Sequence, residues 1–166
     1  MSKYKLPYFG EIENDSLKEY YCVDTKVDDK EIQIDINFTS EFTDNKNLET
    51  IKEFLSKIGE MDKRNIQEYR KDFQQGGETD DYIQFYIDAL SEDELKELIN
   101  TNEEDENQKR QLLEKLELKR VGLYPDETGY FGVFDYSIKL GDEFCNQLLV
   151  INTNEKGELD DITWES

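Results

Sequence analysis

The sequence predicts an α+β domain built on a mostly antiparallel β-sheet, and three observations carry that prediction. Apolar residues alternate with period two near the N-terminus, recur at helical spacing through the middle, and return to period two over the last forty or so residues. Runs of like elements, rather than strict alternation of strand and helix, mark α+β with the helices packed on one side of the sheet. With 166 residues, a single domain over 1–166 is the default. It divides into a β-hairpin region (1–42), a helical segment (43–117) and C-terminal antiparallel strands (118–166).

Taken in order, Tyr4-Lys5-Leu6-Pro7-Tyr8-Phe9-Gly10 is a short apolar stretch broken by proline, which allows at most an edge strand. Tyr21, Val23, Thr25 and Val27 then alternate, and Asp28-Asp29-Lys30 turns the chain. Ile32, Ile34, Ile36 and Phe38 alternate against Glu31, Gln33, Asp35 and Asn37, so a β-hairpin with one buried and one wet face is expected. The period changes after Phe42. Leu48, Ile51, Leu55 and Ile58 fit a helix opened by Asp44 or Asn47 and closed at Gly59. A second helix carries Met61, Ile66, Tyr69 and Phe73 and stops before Gly76-Gly77. A third, capped by Thr79 or Asp80, turns Ile83, Tyr86, Ile87 and Leu90 inward.

Ser91 with Glu94 forms a capping box, which starts a short fourth helix bearing Leu95, Leu98 and Ile99. Asn100 to Asn107 is a loop or a helix extension, and Leu112, Leu113 and Leu116 mark a last helix before strand resumes around Leu118 to Tyr124. Tyr130 to Ile138 alternates with apolar residues on both faces, as a central strand does. Phe144 to Asn152 ends in Leu148-Leu149-Val150-Ile151, a strand covered on both sides. Asn154-Glu155-Lys156-Gly157 supplies a hairpin turn, and the irregular spacing of Leu159, Ile162 and Trp164 points to a bulge near Asp160-Asp161.

Charge dominates the composition: 41 acidic residues stand against 20 basic ones, a net charge of −21. Residues 78 to 106 hold twelve acids and one base, Lys96. Such a field repels phosphate backbones and anionic lipid, which argues against nucleic acid and membrane partners and favours a basic protein. No stretch approaches the roughly 18 unbroken apolar residues of a membrane helix. Met1-Ser2-Lys3-Tyr4 lacks the apolar core of a signal peptide, so a cytoplasmic location is expected. Cys22 and Cys145 lie far apart in apparent strands and read as buried free thiols.

The chain contains no histidine, which removes Ser-His and Cys-His nucleophile pairs and the commonest metal ligand. Two separated cysteines do not make a structural zinc site. Gly76-Gly77 is followed by acids rather than Lys-Ser or Lys-Thr, so it reads as a helix-joining turn and not a phosphate loop. Asn102 to Glu114 lacks the glycine of an EF-hand loop. No cofactor is expected. Asp135, between Phe134 and Tyr136, needs a countercharge if buried, and Arg120 on the preceding strand is the candidate. Trp164 reads as a sheet-closing aromatic or a ligand platform.

Leu6-Pro7-Tyr8-Phe9-Gly10, Glu31 to Phe38, Phe134-Asp135-Tyr136-Ser137-Ile138, Leu148-Leu149-Val150 and Glu165-Ser166 together resemble a prokaryotic family of small acidic proteins defined only as a domain of unknown function. Trp164 stands where that family would have a smaller apolar residue. The resemblance implies no activity and no catalytic residue. By analogy of class, small acidic bacterial proteins of this kind are similar to immunity proteins that silence secreted toxins.

Two expectations follow. The first is a bacterial, non-enzymatic protein-binding domain, an immunity-type inhibitor of a basic toxin or nuclease. Its partner-binding residues would be Asp80, Asp81, Tyr82, Glu92, Asp93, Glu103, Glu104, Asp105 and Glu106, with Tyr86 either an anchor or part of the core. The alternative is a carboxylate-based enzyme or divalent-metal binder centred on Asp135. A specific homodimer through an apolar patch stays open beside both.

Overall fold

In the computed structural model, which describes residues 3–40, 43–126 and 129–166, the chain opens on two strands where at most one was expected. β1 (Lys3–Leu6) and β2 (Gly10–Glu13) pair antiparallel as a separate small sheet. Pro7 falls in the turn between them, where its missing N–H costs no ladder bond. Met1 and Ser2, where a leader would begin, and Phe42, where the period changes, lie outside the described residues.

β3 (Tyr20–Val27) and β4 (Lys30–Asn37) form the expected hairpin, in unbroken register from Tyr20↔Asn37 to Val27↔Lys30. Its two-residue turn has Asp28 and Asp29 at φ 51° and 67°. Two successive left-handed residues make a turn whose twist matches that of the strands, and aspartate tolerates that conformation better than most residues.

Five helices follow among the described residues. Asp44 caps α1 (Asn45–Ser56), accepting from the Asn47 amide at 2.7 Å. This helix ends at Lys57, not Gly59, and α2 (Ile58–Gln74) begins at once. Gly59 serves close approach instead: a Cβ there would strike the Asp28 carboxylate of the hairpin turn. Neither Thr79 nor Asp80 caps α3 (Glu78–Ala89). Gly77 occupies the cap position, and Asp72 reaches over from α2 to accept from the Thr79 amide at 2.7 Å. The Ser91–Glu94 capping box opens α4 (Glu92–Leu98) as expected. α5 (Asp105–Leu113) takes up Leu112 and Leu113, while Leu116 already belongs to the next strand.

That strand, β5 (Leu116–Leu123), is followed by β6 (Gly132–Leu140), β7 (Glu143–Phe144), β8 (Leu148–Thr153) and β9 (Leu159–Glu165). The main sheet runs β3-β4-β5-β6-β8-β9, with β7 paired to β6. Of the described pairs β4–β5 alone is parallel, and the whole helical middle is its crossover connection. The single strand expected from Phe144 to Asn152 is broken at Cys145–Gln147, because Ser137 Oγ donates to the carbonyls of Cys145 and Gln147 and draws the chain out of line. The bulge falls at Asp160: Asn152 faces Asp161 while Thr153 faces Leu159. Gly157 supplies the left-handed turn residue at φ 77°.

Register sorts the sheet into two faces. Ile34, Val121, Phe134 and Ile151 align across four strands and join Leu48, Ile51, Leu55, Ile58, Ile83 and Leu112 of the helices in one fully buried core. A polar tie crosses this interface. The Tyr136 hydroxyl donates to Asp62 Oδ1 of α2 at 2.6 Å, and Lys30 Nζ donates to Asp62 Oδ2 at 2.8 Å. The adjacent row, Gln33, Arg120, Asp135, Val150 and Thr163, belongs to the outer face. Among the described residues no helix is long and apolar enough to cross a membrane.

Candidate functional site

Arg120 sits at the middle of the outer face, on β5 between β4 and β6. Its Nε and Nη2 donate to both carboxylate oxygens of Asp35 at 2.8–3.0 Å, and its Nη1 donates to Asp135 Oδ2 at 3.2 Å. Nη2 also donates to the Tyr124 hydroxyl at 2.7 Å. The bidentate bond to Asp35 is the strong geometry for a guanidinium and a carboxylate. Gly122 makes room for it, since a Cβ at that position would collide with the guanidinium and with Asp35. One arginine thus holds three adjacent strands.

Both aspartates are withdrawn from water, Asp35 at 2% and Asp135 at 6% exposure. Burial pushes the Asp35 carboxyl above the usual carboxylate range, against the pull of Arg120. Burial raises Asp135 likewise, with Arg120 opposing and the charge of Asp35 adding. On Arg120 burial disfavours the charge, but the hydrogen bonds of Asp35 and Tyr124 and the charges of both aspartates outweigh it and hold the guanidinium above its ordinary value.

Two hollows flank this cluster. One, of about 540 Å³, is bounded by Arg120, Tyr124, Tyr130, Val133 and Leu148; the other, of about 810 Å³, by Asp24, Gln33, Lys119 and Phe144. Asp135 borders both. The Asp135–Arg120 pairing expected from the sequence is therefore present. Asp35, expected on the wet face of its hairpin, is corrected to a buried partner of the same arginine. Sequence reasoning missed Asp35, Tyr124 and Gly122. The available signal was Arg120-x-Gly122, which places a large cation beside an empty position on one face of a strand.

The acidic residues lie elsewhere. Asp80 and Asp81 stand in the first turn of α3, Glu92 and Asp93 in that of α4, and Asp105 and Glu106 in that of α5, with Glu104 at its cap and Glu103 just before. Carboxylates there complement the partial positive charge of helix N-termini, which gives many of them a local structural role. The structure does not gather them at one point: about 13 Å of α3 lies between the Asp80 pair and the start of the turn that leads to Glu92. They form a broad flank, exposed at Asp81, Glu92, Asp93, Glu103, Glu104, Asp105 and Glu106. Two acids have lysine partners, Asp80 with Lys109 and Glu92 with Lys96.

Tyr82 is corrected outright. It is fully buried, its hydroxyl donating to the Gln147 carbonyl at 2.8 Å and its ring edge-on to Trp164, because α3 turns this position onto the sheet. Tyr86 is buried beside it and takes the Gln147 amide at 2.9 Å. Trp164 closes this aromatic group and donates to the Gln147 side chain. The cysteines are free, but neither is buried: Cys22 is exposed on β3 and Cys145 is half-buried in the break before β8. Among the described residues no three Cys, Asp or Glu side chains converge as a metal site. No family model, no curated protein and no solved structure matches the chain.

Proposed function

We propose that this chain is a non-enzymatic protein-binding domain of the immunity type, whose acidic flank on α3, α4 and α5 meets a basic protein such as a nuclease toxin. The supporting observation is that the acids of residues 78 to 106 point mostly to solvent, with lysine partners of their own only at Asp80 and Glu92 among the described residues. Exposed charge of one sign accelerates encounter with an oppositely charged surface and makes it salt-sensitive. The test measures binding kinetics against a panel of inactivated basic nuclease domains over a salt series. It is repeated with Glu103→Gln, Glu104→Gln, Asp105→Asn and Glu106→Gln combined. A slower association rate and a flatter salt dependence are expected. A neutralised chain that associates as fast, with the same salt slope, refutes the proposal.

Carboxylate chemistry or a divalent cation at Asp135 is the second reading, favoured by one observation: this aspartate borders both hollows while burial raises its carboxyl. Calorimetric titration with calcium, magnesium or manganese decides it. Binding heat that Asp135→Asn abolishes would replace the first reading with the second.

A further inference from the structure

The other feature that invites a partner is the free edge of β3. Residues Tyr20 to Val27 pair with β4 over eight positions without a slip, and no other strand adjoins β3 among the described residues. The two-residue turn makes Val27↔Lys30 the closing pair, which exchanges both backbone bonds. By alternation Tyr21, Val23 and Thr25 also bond to β4, in step with the Phe38 amide donating to the Glu19 carbonyl beyond them. The N–H and C=O groups of Tyr20, Cys22, Asp24 and Lys26 therefore point outward. Edges are ordinarily blunted by bulges, proline, short length or charged side chains. The opposite edge, β9, carries its bulge at Asp160; β3 has eight residues with no bulge and no proline, and its charges, Asp24 and Lys26, are of opposite sign.

We infer that β3 pairs antiparallel with β3 of a second copy of this chain, about a two-fold axis through Val23, to give one continuous sheet of fourteen strands, β7 of each copy included. Self-complementarity selects both occupant and register. With Val23 facing itself, Tyr20 stands opposite Lys26 of the second copy, Cys22 opposite Asp24 and Tyr21 opposite Thr25, so no like charges meet. Beyond the ladder, Lys18 comes toward Asp28 of the second copy. Centring on Asp24 would set two carboxylates face to face, and centring on Cys22 would shorten the ladder to Tyr20–Asp24. The net charge of −21 does not forbid the pairing. α3 packs against β9 and α4 against β6, which places the acidic flank three to five strand spacings from the seam. That is about 14–24 Å, beyond a screening length of roughly 8 Å at physiological salt.

The test is sedimentation equilibrium of the full chain, together with a cysteine scan in a Cys22→Ser/Cys145→Ser background. A dimer mass is expected. Under mild oxidation Val23→Cys should cross-link between chains, because only that residue meets its own copy across a close, non-hydrogen-bonded pair; Thr25→Cys should not. Asp24→Pro removes an outward amide and leaves the β4 ladder intact, so it should give a monomer with an unchanged circular dichroism spectrum. A chain that is monomeric at every concentration overturns the inference, as does a dimer that persists in folded Asp24→Pro. Cross-linking at position 25 rather than 23 overturns the register. If Asp24→Pro fails to fold, the cysteine scan alone decides.

Discussion

Replacing Arg120 with methionine tests the outer-face cluster most directly. Methionine keeps the unbranched stem and removes the guanidinium, leaving the side chains of Asp35 and Asp135, 3% and 9% exposed, without a countercharge. Breaking a buried pair by removing one partner costs about 3–5 kcal/mol; because Arg120 itself is 23% exposed, the low end of about 3 kcal/mol is expected. For a domain of this size that lowers Tm by roughly 6–12 °C. The loss should depend on pH. Burial raises both carboxyls in the folded state, so their favourable contribution is fully present below the unfolded carboxylate value and is lost as pH rises through the folded one. Without Arg120 the folded values rise further. The deficit of Arg120→Met should then be large at neutral pH and small at about pH 3, below the unfolded carboxylate value of about 4, where both groups are mostly protonated in either state. Urea denaturation at both pH values measures this, and adding Asp35→Asn should recover part of the loss at neutral pH. An equal deficit at the two pH values, or none at neutral pH, would refute the reasoning.

Two further outcomes follow from single contacts. Tyr136→Phe removes the hydroxyl that donates to buried Asp62 and leaves Asp62 Oδ1 without that partner, at a cost of about 1–3 kcal/mol by chemical denaturation. Gly157→Ala forces a Cβ into a left-handed turn and against Met61, so a loss of about 1–2 kcal/mol is expected; an unchanged denaturation midpoint would show that the turn relaxes.

Elements with strong local signals were legible in the sequence. The β3–β4 alternation, the Ser91–Glu94 capping box, the Gly157 turn and the bulge beside Asp161 all depend on residues close in the chain, and each lies where the pattern put it. What failed depended on distant partners. Asp35 looks solvent-facing within its own strand and becomes buried only because Arg120, 85 residues away, folds over Gly122 to meet it. The cap of α3 comes from Asp72 on another helix, and Gly59 answers to Asp28 in the hairpin turn. Tyr82 lies among acids in sequence, but helical spacing sets it on the same face as Ile83 and Tyr86, and the sheet covers that face. The acids themselves were visible; their partial commitment to helix N-termini was not.

The parallel junction explains why the arginine cluster stands where it does. Every other neighbouring pair in the main sheet is joined by a connection much shorter than the helical segment, whereas β4 meets β5 only after the entire helical segment has been spanned. Closing a connection that long costs roughly 0.6 kcal/mol for each doubling of its length, and parallel pairing is slightly weaker per residue than antiparallel. At this junction the inner face supplies Ile34 against Val121, both fully buried, and the outer face supplies the bidentate Asp35–Arg120 bond. The two halves of the sheet carry the two proposed surfaces separately, the β3 edge in the N-terminal hairpin and the acidic flank on the helices that pack over β6 and β9. A dimer through β3 therefore leaves both flanks open at its outer ends, and a complex with the basic partner should contain two copies of each chain.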